Sequence, residues 1–273
     1  MLNMTSKNKP GIVVKKAFHH IIALCAALSL TGCAAAGNGA PSPDVYDMVS
    51  FGDSTTVLNA SFPLPKQAGL CYRDEGTFPR IVAHKKHYRL FESGCSGNKI
   101  GDYWHSPGRK HLNNHTRLVT ITYGSNDVDT VNVFIKAKST TSIVSSTVDA
   151  DTWNVMLGRM RAVVADVKKA APNARIILVG YLPLVDKVCP SVFPLLSYGE
   201  VVELQKLRQG VNGVLAQVAE EYHVDAVIPT ISGHGVCAPL PEQWVNTEFE
   251  NEVLYHTLPG GHDYLANRIV EKL

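Results

Sequence analysis

VYDMVSFGDSTTV, residues 45–57, is a short apolar run that ends in Gly52-Asp53-Ser54. Apolar residues over strand length, closed by a glycine and a turn-forming acid, predict a buried strand over Val45–Phe51. Such a strand delivers Ser54 to the carboxyl edge of a sheet. A serine hydroxyl is a weak nucleophile at its own pKa, and it needs a base within hydrogen-bond reach and donors for the oxyanion it creates. The remaining sequence carries both a sheet to surround this strand and candidates for those partners.

Four further runs of strand length follow, at His87–Glu92, Leu118–Tyr123, Arg175–Tyr181 and Val224–Ile228. LVTITY at 118–123 is rich in β-branched residues. Between them, Asp149–Ala171 carries Val155, Met156, Met160, Val163, Val164 and Val167 at helical spacing and is stopped by Pro172-Asn173. Gly199–Tyr222 repeats that pattern, Thr77–Lys86 is a shorter helix, and Pro259–Leu273 closes the chain with a proline suited to a first turn. Alternating helices and near-continuous apolar strands predict an α/β fold, a three-layer, flavodoxin-like parallel sheet of about five strands with helices on both faces. In such sheets ligands bind outside the carboxyl ends of the strands. Ser54, Cys95-Ser96-Gly97 and Gly124-Ser125-Asn126-Asp127 follow the first three strands and all fall on that edge. The long segments Asn59–Gly76, Gly101–Thr116 and Asp186–Tyr198 are expected to be loops rimming a pocket, and there is no internal repeat.

The start of the chain reads differently. Lys7, Lys9, Lys15 and Lys16 precede the apolar run Ile21–Leu30, which is too short to span a bilayer as a mature helix and has the form of an export signal. It ends in Leu30-Thr31-Gly32-Cys33, which resembles a bacterial lipobox. That resemblance implies a lipoprotein signal peptide over 1–32, a lipid on Cys33, a flexible tether over 33–43 and one domain over 44–273. Losing residues 1–32 removes four lysines and no acid, so the net charge moves from +2 to −2. A nearly neutral chain with no basic stripe excludes nucleic acid as a partner. The expected location is the membrane, facing the periplasm or cell exterior. About 230 residues remain, enough for one core and an expected monomer. In an oxidising compartment Cys71, Cys95, Cys189 and Cys237 allow three pairings, of which Cys71–Cys95 with Cys189–Cys237 is expected.

Gly52-Asp53-Ser54, the glycine after strand two, Gly124-Ser125-Asn126-Asp127 and a C-terminal histidine followed by glycine together resemble the SGNH (GDSL) hydrolase family. The blocks stand in the family's order and span most of the domain. Cys95-Ser96-Gly97, Val179-Gly180-Tyr181, Gly233-His234-Gly235-Val236-Cys237 and Trp244-Val245 are similar to its secreted, disulfide-containing esterase and lipase branch. The resemblance implies an ester hydrolase with Ser54 as nucleophile and His256 as base. The implied oxyanion donors are the N–H of Ser54, the N–H of Gly97 and the side-chain amide of Asn126. Asp53 is expected to brace the turn, and a helix N-cap is the competing role for Ser54. His256 is preferred to His262, which falls inside the closing helix as a packing or capping residue. The chain departs from the family at the acid of Asp-x-x-His, where it has Val253, and Thr257 replaces the proline after the histidine. Either the main-chain carbonyl of Val253 orients His256, making a Ser–His dyad, or Glu252 or Glu250 does.

Other chemistries fit less well. Ser96-Gly97-Asn98-Lys99 matches Ser-x-x-Lys, but no Lys-Thr-Gly follows, and there is neither a Gly-x-Ser-x-Gly elbow nor a His-Glu-x-x-His metal motif. No metal or cofactor is expected. The alternative of another class is a catalytically impaired, lipid-anchored binding module, with Val253 as the mark of lost chemistry. The expected substrate is a lipid or carbohydrate ester.

Overall fold

A computed structural model describes residues 45–60, 71, 73–130, 148–187, 189, 198–246 and 256–273. Cys33 and the whole signal and tether lie outside the described residues. So do Glu250, Glu252 and Val253.

Five strands, β1 (Met48–Gly52), β2 (Leu90–Glu92), β3 (Leu118–Thr122), β4 (Arg175–Val179) and β5 (Asp225–Val227), form one parallel sheet in the order β2-β1-β3-β4-β5. The helices are α1 (Ser54–Val57), α2 (Phe78–Lys86), α3 (Ala150–Ala170), α4 (Tyr198–Tyr222) and α5 (Pro259–Val270), with two 3₁₀ turns at Ile100–His105 and Pro107–His111. This is the expected fold. The chain leaves β1 toward β2 on one side and returns to β3 on the other, so the crevice for a ligand opens at the carboxyl ends of β1 and β3.

Alternation along the strands sorts two cores. Val49, Phe51, Val119, Ile121, Ile176 and Leu178 meet Met156, Met160 and Val163 of α3 and Leu207, Val211 and Leu215 of α4. Met48, Leu118, Ile177 and Val179 face the other way, against Phe78 and Val82 of α2 and Leu265 and Ile269 of α5. Each such side chain withdrawn from water contributes about 1.5–3 kcal/mol. Two hydroxyls inside this apolar sheet satisfy each other, Thr120 Oγ1 donating to Ser50 Oγ at 3.0 Å across the β1–β3 register.

Element ends differ from the sequence reading by a few residues, for local reasons. β1 begins at Met48 rather than Val45 because Asp47 terminates the pairing: its carboxylate accepts from Arg89 N at 2.9 Å and its carbonyl from Arg117 N at 2.7 Å. β2 begins at Leu90 because His87 closes α2 in the left-handed region, with φ of 54°. β4 stops at Val179, since Tyr181 turns away from the sheet and its backbone pairs with the side chain of Asn212 in α4 at 2.8 and 3.0 Å.

Candidate active site

The turn after β1 is built around Asp53. Its buried carboxylate accepts from Thr55 N at 2.9 Å and so caps α1, leaving Ser54 as the first helical residue rather than its cap. The Ser54 N–H, at a helix start, has no intrahelical acceptor and is available to a ligand. Gly52 is required by contact: a Cβ there would collide with Thr56 Cγ2 and stand 2.8 Å from Thr122 O.

Two neighbouring loops lean toward this turn. After β2, Cys95 N donates to Gly52 O at 3.1 Å and Asn98 N to Cys95 O at 3.1 Å. Gly97, with φ of +82°, takes the third position of the resulting turn, where a side chain would be strained. A Cβ at Gly97 would meet nothing, so its surroundings are open. The disulfide Cys71–Cys95 anchors this loop as expected. After β3, Asn126 Nδ2 donates to Asn98 O at 3.0 Å, and Asp127 Oδ2 accepts from Ile100 N at 3.0 Å. The third loop is thereby stitched to the second.

His256 arrives from the other side. His256 O accepts from Asn246 N at 2.9 Å and Trp244 O from Leu258 N at 2.8 Å, an antiparallel bridge that pairs Val245 with Thr257. The partner segment is braced in turn. Trp244 stacks on His234 with ring centroids 3.7 Å apart, and the second expected disulfide, Cys189–Cys237, ties down the turn that carries His234. Ser54, Asn126 and His256 line one cleft, with Asp53, Ser125, Tyr181, Leu182, Arg208 and Val245 among the other lining residues, enclosing about 660 Å³ partly open to solvent. Gly97 is not among the lining residues; it sits one residue from Asn98, the acceptor of the Asn126 amide. The groups expected to orient His256 fall outside the described residues.

His262 is fully buried, and both ring nitrogens are engaged. Nδ1 accepts from Phe78 N at 3.2 Å, which leaves Nε2–H to donate to Leu58 O at 2.9 Å. Burial lowers its pKa to about 4. Its ring joins α2 to α5 and does not reach the cleft.

One residue near the cleft had no role assigned from sequence. The Tyr181 hydroxyl donates to Asp53 Oδ2 at 2.6 Å and accepts from Ser125 N at 3.3 Å, joining the ends of β1, β3 and β4 beneath the cleft. Burial raises the Asp53 carboxyl to about 6, against the opposing pull of the Tyr181 and Thr55 bonds. The signal for this tyrosine was its place just past a strand's carboxyl end, where a residue turns from the sheet toward the site.

Comparison with known proteins agrees with this geometry. The family described as GDSL-like Lipase/Acylhydrolase matches residues 50–264, from within β1 into α5. Two Streptomyces coelicolor proteins named Lipase 1 and Lipase 2 are 28% and 25% identical, over 83% and 80% of this chain and 85% and 82% of theirs. The crystal structure of a phospholipase A1 from Streptomyces albidoflavus NA297 superposes with a TM-score of 0.69 at 21% identity, covering 84% of this chain and all of that one; at that identity it speaks for the fold.

Proposed function

We propose that this chain, which belongs to the GDSL-like Lipase/Acylhydrolase family of carboxylic ester hydrolases, cleaves its ester through an acyl-enzyme on Ser54. His256 takes the Ser54 proton as Oγ attacks the carbonyl carbon. The tetrahedral oxyanion is held by the N–H of Ser54, the N–H of Gly97 and the Asn126 amide, donors of a kind worth roughly 3 kcal/mol of barrier each. Collapse expels the alcohol, which takes the proton from His256, and water then releases the acid by the same steps in reverse. The Val253 carbonyl accepts from Nδ1–H of His256 and keeps Nε2 free as the base, a dyad that holds the tautomer with less charge stabilisation than a carboxylate would add. A lipid on Cys33 keeps the enzyme at a membrane.

The observation that supports this most is the sharing of one cleft by Ser54, Asn126 and His256, which come from segments 72 and 130 residues apart in sequence. The test is p-nitrophenyl ester turnover together with labelling by an organophosphonate. Wild type is expected to do both, and Ser54→Ala neither, with its melting temperature kept because Asp53 rather than Ser54 caps α1. Absence of turnover and of labelling in wild type would favour a binding module instead. Glu252→Gln is expected to leave kcat within a few-fold of wild type; a fall of orders of magnitude with the fold intact would transfer the orienting role from the carbonyl to Glu252.

A further inference from the structure

Part of the cleft wall comes from α4 and the segment after β4. Leu182, Leu184, Val211 and Val245 make it apolar, and among the described residues Arg208 of α4 is the one Lys or Arg lining it. The Arg208 guanidinium is part-buried. Among the described residues it makes a single hydrogen bond, from Nη1 to Pro229 O at 3.4 Å, and no ion pair. Asp186 exerts a field on it without coming to ion-pair distance, and Oδ2 of that carboxylate accepts from the Gly233 N–H. Five other arginines of the described structure, Arg80, Arg109, Arg161, Arg175 and Arg268, each have a carboxylate at ion-pair distance.

A cation partly withdrawn from water with no carboxylate at ion-pair distance is costly, and the protein retains it in the cleft that Ser54 lines. Its planar fork matches the paired oxygens of phosphate or carboxylate. We propose that Arg208 is the specificity-determining residue of this site, binding an anionic group carried by the substrate away from the scissile carbonyl. The substrate class is then an ester bearing a phosphate or a carboxylate, whose acyl portion lies on the apolar wall. This rests on the reading of Ser54 as the nucleophile for where the ester sits, but not for the binding of the anion.

The test compares three soluble esters with identical acyl groups: dibutyryl glycerol, its 3-phosphate and its 3-hemisuccinate. Wild type is expected to prefer the phosphate, the hemisuccinate or both over the neutral ester in kcat/KM. In Arg208→Gln that preference is expected to fall about 10–100-fold, the worth of a charge-assisted pair. Arg208→Lys restores part of it. Comparison of the phosphate and hemisuccinate arms tells which anion the site takes. A preference unchanged in Arg208→Gln, or a wild type that prefers the neutral ester, overturns the proposal. Calorimetric binding of glycerol 3-phosphate and of succinate to Ser54→Ala, with and without Arg208→Gln, separates the two readings. Binding of either anion that depends on Arg208 upholds the anion site even if no ester is turned over, and binding of neither removes it even if neutral esters are cleaved.

Discussion

Replacing Tyr181 by phenylalanine is expected to cost stability in a way that depends on pH. The phenol donates at 2.6 Å to Oδ2 of Asp53, whose side chain is buried. Burial raises that carboxyl from the ordinary 3.8 to about 6 even with this bond in place. A carboxyl whose folded pKa lies above its unfolded one contributes its stability in full below the unfolded value. The contribution is lost as pH rises through the folded value, here about 3 kcal/mol between pH 4 and 6. A hydrogen bond to an ionised group is worth about 1.5–3 kcal/mol and one between neutral groups about 0.5–1.5 kcal/mol. Tyr181→Phe is therefore expected to cost about 1 kcal/mol at pH 4.5, where Asp53 is protonated in the fold, and about 2 kcal/mol at pH 8. The measurement is urea unfolding of both proteins at the two pH values. The difference between proteins cancels every titration that the substitution does not touch. Equal losses at both values, or a larger one at pH 4.5, would refute the claim that the phenol holds an ionised Asp53.

Opening the Cys71–Cys95 bridge with the double Cys71→Ser, Cys95→Ser variant frees a loop with a sequence separation of 24, which is expected to lower stability by about 3 kcal/mol. Because the bridge anchors the turn that presents Gly97, activity on p-nitrophenyl esters should fall through kcat more than through KM. His262 titrates in the opposite sense to Asp53. With a folded pKa of about 4 below an unfolded one near 6.5, its stabilisation is full above 6.5 and is lost as pH falls through 4, about 3 kcal/mol in all. The stability gap between wild type and His262→Gln should accordingly narrow by about that amount from pH 7 to pH 4. His262→Gln should retain turnover and His256→Ala should lose it; the reverse would exchange their roles.

The fold was legible in one dimension because a parallel sheet covered on both faces demands unbroken apolar strands and one-sided helices, and both leave periodic marks. MVSFG, LVTIT and RIILV could be buried in few other ways. Motif order located the candidate site for a related reason: in such a sheet every residue just past a strand falls on one edge, so Ser54 and Asn126 are neighbours by topology alone. The cysteine pairing agreed as well. Strand ends were misjudged where a side chain overrode propensity, as when Asp47 closed the start of β1 and His87 turned left-handed before β2.

What the sequence determined by itself was the set of elements, their order and the edge on which the polar loops meet. Tertiary structure alone decided which polar residues near that edge have partners. Tyr181 sits in a continuous apolar run and reads as strand, yet Asn212, 31 residues away, turns it beneath the cleft to bond Asp53. Arg208 looks in sequence like any solvated arginine on a long amphipathic helix. Its distinction is a place in an apolar-walled cleft with no ion pair among the described residues, and that depends on where α4 comes to rest against the loops after β4. Hydrogen-bond partners and desolvation are set by where distant segments come to rest in space, so no local pattern records them.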